Sequence, residues 1–322
     1  MSITTIPEEI LLLINQYHDV YHLLNTSKKF NDFRRNNKLY FHLYKFTAKY
    51  SKIYISNSAK FNSENIKYIS LYLYNCSLYN LKHLKHFKKV HELSLDRLKY
   101  LTSLSGLEDT NIHILELYHC RYLTDISALT NNTTIHTLEI YYSGLTDISP
   151  LTNNKTIHTL YLYGCESLTD ISPLKNNTTI HTLNLYDSGS LTDISPLANN
   201  TTIHTLNLCG CKSLTDISPL ANNTTIHTLN LSGCFSLYNI SALRNNTTIH
   251  TLDLSGCFSL YDISALRNNN TIHTLNLSFS DKLRDISFLK NNTTIHTLYI
   301  KKCTVLKNLS VLKTTKIRNL YK

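Results

Sequence analysis

A chain of 322 residues, 42% hydrophobic and 17% charged, is long enough to bury a large core and lacks the charge density of a disordered protein. Its net charge of +10 sits at the front: 16 Lys and Arg face 7 Asp and Glu up to Tyr100, and beyond it the signs nearly balance. These basic residues (Lys28-Lys29, Arg34-Arg35, Lys82, Lys85 and Lys88-Lys89) are scattered and framed by no nucleic-acid motif. They point to solvated surface or a protein partner rather than nucleic acid.

The opening, MSITTIPEEILLLINQYHDV, puts two glutamates before its apolar run. It has no cationic leader, and the run is too short to span a bilayer. No secretion and no membrane association are expected. The setting is then cytoplasmic or nuclear, where the eight cysteines stay reduced.

Residues 1–46 read as small helices. Pro7 followed by Glu8 and Glu9 is a helix start, and Ile10, Leu11, Leu13 and Ile14 continue an apolar stripe. A second helix holds Val20, Leu23 and Leu24, and a third Phe30, Phe33 and Leu39. Three such helices bury little by themselves and need a partner, or must dock on the adjoining part of the chain. Ile6-Pro7-Glu8-Glu9-Ile10-Leu11, Tyr17-His18-Asp19, Leu23-Leu24 and Ser27-Lys28-Lys29-Phe30 resemble the F-box, with His18 where that motif carries leucine and Phe30 where it carries tryptophan. The resemblance implies binding to the Skp1 adaptor of cullin-based ubiquitin ligases through Ile6, Pro7, Ile10, Leu11, Ile14, Leu23 and Leu24. Residues 47–67 read as a linker or amino-terminal cap.

From residue 68 to the end one unit recurs every 22–23 residues, about eleven times. Ile226–Leu237, IHTLNLSGCFSL, shows its pattern, L-x-x-L-x-L-x-x-C-x-x-L. The alternation in Leu206-Asn207-Leu208 is that of a short strand with one buried face. Eleven such strands run from Leu71/Leu73 to Leu298/Ile300, and a fragment at Leu320 begins a twelfth. Ser-Pro pairs such as Ser195-Pro196 place an N-cap serine before a proline, with room for one 3₁₀ turn before the Asn-Asn turn. The unit resembles the leucine-rich repeat, with segments such as LTDISPL similar to those of bacterial internalins. That resemblance implies an α/β solenoid: a horseshoe or arc with a parallel sheet on its concave side and short 3₁₀ turns on its convex side.

The repeat carries a histidine in one register (His91, His113, His136, His158, His181, His204, His227, His250, His273 and His296) and a cysteine in another (Cys76, Cys120, Cys165, Cys211, Cys234, Cys257 and Cys303). Zinc sites use close pairs, whereas these cysteines are whole repeats apart. In the leucine-rich-repeat resemblance their slot turns a side chain inward to satisfy backbone groups, forming a structural ladder. No carboxylate stands in register beside the histidines to orient them. No metal, cofactor, nucleophile–base pair or phosphate-cradling glycine loop is expected, and hence no enzyme.

Positions that vary between copies carry the recognition signal. Flanking the second strand leucine, Glu116, Tyr118, Glu139, Tyr141, Tyr142, Tyr161, Tyr163 and Tyr186 cluster over four successive turns, and their parity aims them at the concave face. Tyrosine offers large contact area at low entropic cost, so these residues are candidates for binding a protein; mutual stacking that only stiffens the sheet is the alternative. The expected function is a substrate-recognition adaptor, monomeric outside its complex. A scaffold without a ligase link and an internalin-like adhesin are the rivals.

Overall fold

The computed structural model describes residues 38–44, 68–74, 79, 81, 90–108, 110–307 and 309–322. Ile6, Pro7, Ile10, Leu11, Ile14, Leu23, Leu24 and Cys76 lie outside the described residues. The chain divides into two units, Met1–Leu145 and Thr146–Lys322.

In the first unit the described strands are β1 (Lys38–Tyr44), β2 (Tyr68–Tyr74), β3 (Val90–Asp96), β4 (Ile114–Tyr118) and β5 (Thr137–Tyr141). Each pairs in parallel with the next, so that Leu71, Leu93, Leu115 and Leu138 are aligned across the sheet. The strand at Lys38–Tyr44 corrects the placing of Leu39 in a third helix, whose other residues, Phe30 and Phe33, lie outside the described residues. KLYFHLY carries the period-2 alternation and aromatic content of a strand, and a paired edge is available in β2.

The second unit holds β6 (Thr159–Tyr163), β7 (Thr182–Asn184), β8 (Thr205–Asn207), β9 (Thr228–Asn230), β10 (Thr251–Asp253), β11 (Thr274–Asn276), β12 (Thr297–Tyr299) and β13 (Asn319–Tyr321), again parallel and in chain order. The fragment at Leu320 is therefore a full member of the sheet. Both units are leucine-rich-repeat solenoids, and each described turn has one strand and one short return.

A single turn shows how the core is assembled. Ile203, Leu206, Leu208, Cys211, Leu214, Ile217 and Leu220 are all buried, and the corresponding residues of the turns before and after stack on them. One turn has no second layer of its own to cover these side chains. Burial, worth roughly 1.5–3 kcal/mol for each aliphatic side chain, is achieved only between neighbours.

The returns are 3₁₀ turns, such as Ser195–Leu197 and Ser218–Leu220. Their cap differs from the expected one. Ser195 is the first residue of its turn rather than the cap, and the capping carboxylate is Asp193, whose Oδ1 accepts the Ser195 N–H at 2.7 Å and whose Oδ2 accepts the Ser195 hydroxyl at 2.9 Å. A carboxylate two residues upstream reaches that N–H without bending the chain, and it turns the serine hydroxyl into a donor. The same pair recurs at Asp147/Ser149, Asp170/Ser172, Asp216/Ser218, Asp262/Ser264 and Asp285/Ser287.

These bonds favour the charged carboxylate, and the hydrogen bonds from Ser218 hold Asp216 below the usual aspartate range, as those from Ser127 do for Asp125. A group whose pKa is depressed on folding adds stability that is present above its unfolded pKa and lost as pH falls through its folded one. Thermal melting of the wild type is therefore expected to fall with pH below the usual aspartate range. Asp216→Asn should melt lower at neutral pH and show a flatter pH profile. Both carboxylates are exposed, so the slope per residue is small.

Candidate functional site

In the first unit β3, β4 and β5 align Asp96, Tyr118 and Tyr141 in one row and Ser94, Glu116 and Glu139 in another, both alternating with buried leucines and Ile140. All six are half-buried and lie on the face of the strands away from the core. The Tyr118 and Tyr141 rings stack at 4.6 Å with planes 17° apart. The Tyr141 hydroxyl donates to Glu139 Oε2 at 2.9 Å. Burial, followed by the negative field of Glu116, Glu139 and Asp96, pushes the Tyr118 hydroxyl up to about 12. It stays a protonated donor at every physiological pH. Glu116 and Glu139 are direct cross-strand neighbours of like charge, a pairing that a cationic ligand group would relieve.

Tyr142 departs from this row. It adopts the left-handed region, φ 53°, and its exposed ring stacks on His119 at 5.3 Å instead of joining Tyr141.

In the second unit Tyr161 and Tyr163 lie on β6, and Tyr163 stacks on Tyr186 at 4.2 Å with planes 8° apart. Stacking of neighbouring tyrosines thus occurs within each unit. After Tyr161 the residue between the strand leucines changes character for a local reason. Asn184, Asn207, Asn230, Asp253 and Asn276 each turn a side-chain oxygen onto the backbone N–H two residues on. One oxygen of each is thus bonded to the chain itself, and the strands carrying them are three residues long. A further aromatic pair, Tyr299 and Tyr321 at 4.4 Å, lies on β12 and β13, where Tyr321 follows Leu320 as Tyr299 follows Leu298.

The cysteine slot faces inward. Cys120, Cys165, Cys211, Cys234 and Cys257 are buried, and Cys303 is half-buried. Cys211, Cys234, Cys257 and Cys303 donate from Sγ to the carbonyls of Leu185, Leu208, Leu231 and Leu277 in the preceding turn, at 3.4, 3.2, 3.1 and 3.0 Å. Serine takes the slot at Ser188, whose hydroxyl donates to Leu162 O at 3.4 Å. At Ser280 the buried hydroxyl has no partner among the described residues.

The imidazoles stack in rows. Centroids are 5.0 Å apart for His91–His113 and 5.4 Å for His113–His136 in the first unit. In the second unit they run from 5.3 Å for His250–His273 to 5.7 Å for His273–His296. Behind them, within each unit, backbone N–H groups of histidines donate to the carbonyl of the histidine one turn earlier, as from His204 to His181 at 2.8 Å. Among the described residues no three His, Cys, Asp or Glu side chains converge as a metal site would require. No helix among the described residues is long and apolar enough to cross a membrane.

One ladder is not evident in the sequence, where the Asn-Asn pair reads only as a turn. The second asparagine of each pair is buried: Asn132, Asn154, Asn177, Asn200, Asn223, Asn246, Asn269 and Asn292. Asn200 Oδ1 accepts the N–H groups of Thr202 and Ile203 at 3.0 and 2.8 Å, and its Nδ2 donates to the Asn177 carbonyl at 3.1 Å. The available signal is its fixed place three residues before a buried isoleucine.

Among known proteins, the model of the BspA-type leucine-rich-repeat region matches residues 110–215 and 178–307, in six copies. No curated protein sequence matches significantly. An internalin of Listeria monocytogenes is similar in structure, with a TM-score of 0.60 and 21% identity over 87% of this chain and 86% of that one. The mouse RP105/MD-1 complex contains a chain similar at a TM-score of 0.57 and 17% identity, over 77% of this chain and 49% of that one. At these identities the solved structures establish the fold. The family model spans more than half of the sequence, and the protein is a member of the BspA-type leucine-rich-repeat family.

Proposed function

We propose that the protein is a non-catalytic adaptor that holds a partner protein on the tyrosine-bearing face of its strands and presents it to a Skp1-type ubiquitin ligase through its front segment. The observation that carries the binding half is the pair of stacked tyrosines Tyr118 and Tyr141 beside Glu116 and Glu139. Fixed rings offer contact area with little entropy left to lose, and the carboxylates favour a partner bearing Lys or Arg. A rigid repeat array suits this role because it contributes position, raising the local concentration of whatever it holds. The ligase half rests on the F-box-like residues Ile6, Pro7, Ile10, Leu11, Ile14, Leu23 and Leu24. A binding scaffold with no ligase link is the rival reading.

The test is co-elution of the full chain with purified Skp1, followed by ubiquitination of captured partners in a reconstituted ligase. Deleting Met1–Asn37, which spares β1, should abolish co-elution and leave partner capture intact. The double variant Tyr118→Ser/Tyr141→Ser should do the reverse, weakening capture by roughly thirtyfold if each ring contributes about 1 kcal/mol. A full chain that never co-elutes with Skp1 would leave the scaffold without a ligase. Undiminished capture by the double variant would remove the tyrosine face.

A further inference from the structure

A cavity of about 550 Å³ in the first unit is lined by Arg97, Lys99, His119, Arg121 and Tyr122. It lies where the chain leaves β3 and β4, so it adjoins the row of Asp96 and Tyr118 on the strand face. Its volume is that of a small-ligand site. Its lining is mostly of one sign: Arg97, Lys99 and Arg121 line it, and Asp96 lies 3.9 Å from Arg97 Nε and 3.4 Å from His119 Nδ1. Counted over these described groups alone, three cations and one carboxylate leave about +2 with the imidazole uncharged. A phosphate monoester carries about −1.5 to −2 and would balance it, whereas one carboxylate would not.

The backbone shows that these side chains are held there at a cost. Arg97 and His119 have φ of 56° and 54°, the left-handed region, which disfavours any residue bearing a Cβ. In the second unit the same place in the repeat is mostly glycine, as at Gly164, Gly210, Gly233 and Gly256. The cationic positions also end abruptly. The next turn has Gly144 where Lys99 and Arg121 stand, and a Cβ there would come within 2.6 Å of the Arg121 carbonyl oxygen. Among the described residues the cationic slot of these two turns is therefore not carried into the next one.

We infer that this cavity binds a phosphorylated side chain of the protein partner, an inference that rests on the strand face being a protein-binding surface. The guanidinium groups grip the phosphate oxygens by charge-assisted hydrogen bonds, Lys99 adds a point charge, and Tyr122, which is 65% exposed, covers the residue that carries the phosphate.

The test uses the full chain and fluorescent libraries of short degenerate peptides with a central phosphoserine or phosphotyrosine, alongside their unphosphorylated counterparts. Binding is read by anisotropy at physiological salt, with inorganic phosphate and a labelled oligothymidine as comparison probes. A phosphorylated library should bind at least tenfold tighter than its counterpart and be displaced by excess inorganic phosphate. The double variant Lys99→Ala/Arg121→Ala should lose that selectivity with no change in melting temperature. Arg97→Gly should lose part of it while melting no lower than wild type, because the glycine relieves the backbone. Equal binding of both libraries, or selectivity that survives the double variant, overturns the inference. Tighter binding of oligothymidine that the double variant abolishes overturns it in favour of nucleic acid. Skp1 co-elution, measured on the same preparations, reports on the adaptor reading separately.

Discussion

Asn200→Ala is expected to lower the unfolding free energy by roughly 3–5 kcal/mol, among the largest single effects available in this chain. The side chain closes three hydrogen bonds at once, to the N–H groups of Thr202 and Ile203 and to the carbonyl of Asn177. Alanine leaves all three backbone groups without that partner in a corner where Asn177, Asn200 and Ile203 are buried. Each unsatisfied buried group costs about 1–3 kcal/mol. Asn199, its neighbour in the Asn-Asn pair, is exposed, so Asn199→Ala should change stability by about 0.5 kcal/mol or less. The comparison is made by urea unfolding followed by circular dichroism. Nearest-neighbour coupling in a solenoid adds a second expectation: a break in the middle of the second unit separates the turns on either side, so the transition should also broaden. Equal midpoints for the two variants would show that the ladder does not hold the corner.

Alkylation of the thiols is expected to separate them by orders of magnitude. Burial pushes Cys120 up to about 11 and Cys211 and Cys257 up to about 12, against an ordinary value of 9.0, and raises Cys234 as well. The thiolate is the reactive species, so a rise from 9.0 to about 12 lowers its abundance at neutral pH roughly a thousandfold, before any steric shielding is counted. Cys209 lies off the ladder and is half-exposed, and should label first among these five. Mass spectrometry after iodoacetamide treatment of the folded chain, with a denatured control, reads the order directly. Rapid labelling of Cys211 or Cys257 in the folded chain would mean that the slot opens to solvent. The same chemistry bears on function, because a protonated, buried thiol aimed at a carbonyl serves neither as nucleophile nor as metal ligand.

Much of this architecture is legible along the chain because its code is local and repeated. The strand leucines, the short returns and the parallel order follow from a two-residue alternation inside a unit of 22–23 residues, which leaves one way to stack the copies. The inward turn of the cysteines is what the resemblance to the leucine-rich repeat implies. Where a side chain chooses between local partners, sequence and structure part. Ser195 has the pattern of a cap, yet it stands as the first residue of its turn and gives both its N–H and its hydroxyl to the Asp193 carboxylate. Leu39 fits a helix as well as a strand, because an apolar pair suits either period until a neighbouring strand is present to receive it.

What no single unit supplies is the relation between units. Asn200 and the Asn177 carbonyl are 23 residues apart, and Arg97 and Arg121 share a cavity across one turn of the solenoid. The sequence spaces such groups at regular intervals. The winding of the chain brings them within a few ångströms, where hydrogen bonding and Coulomb forces act. The repeat thus follows from short-range pattern. The buried ladder, the paired tyrosines and the cationic cavity come from stacking, because each is made of atoms on successive turns.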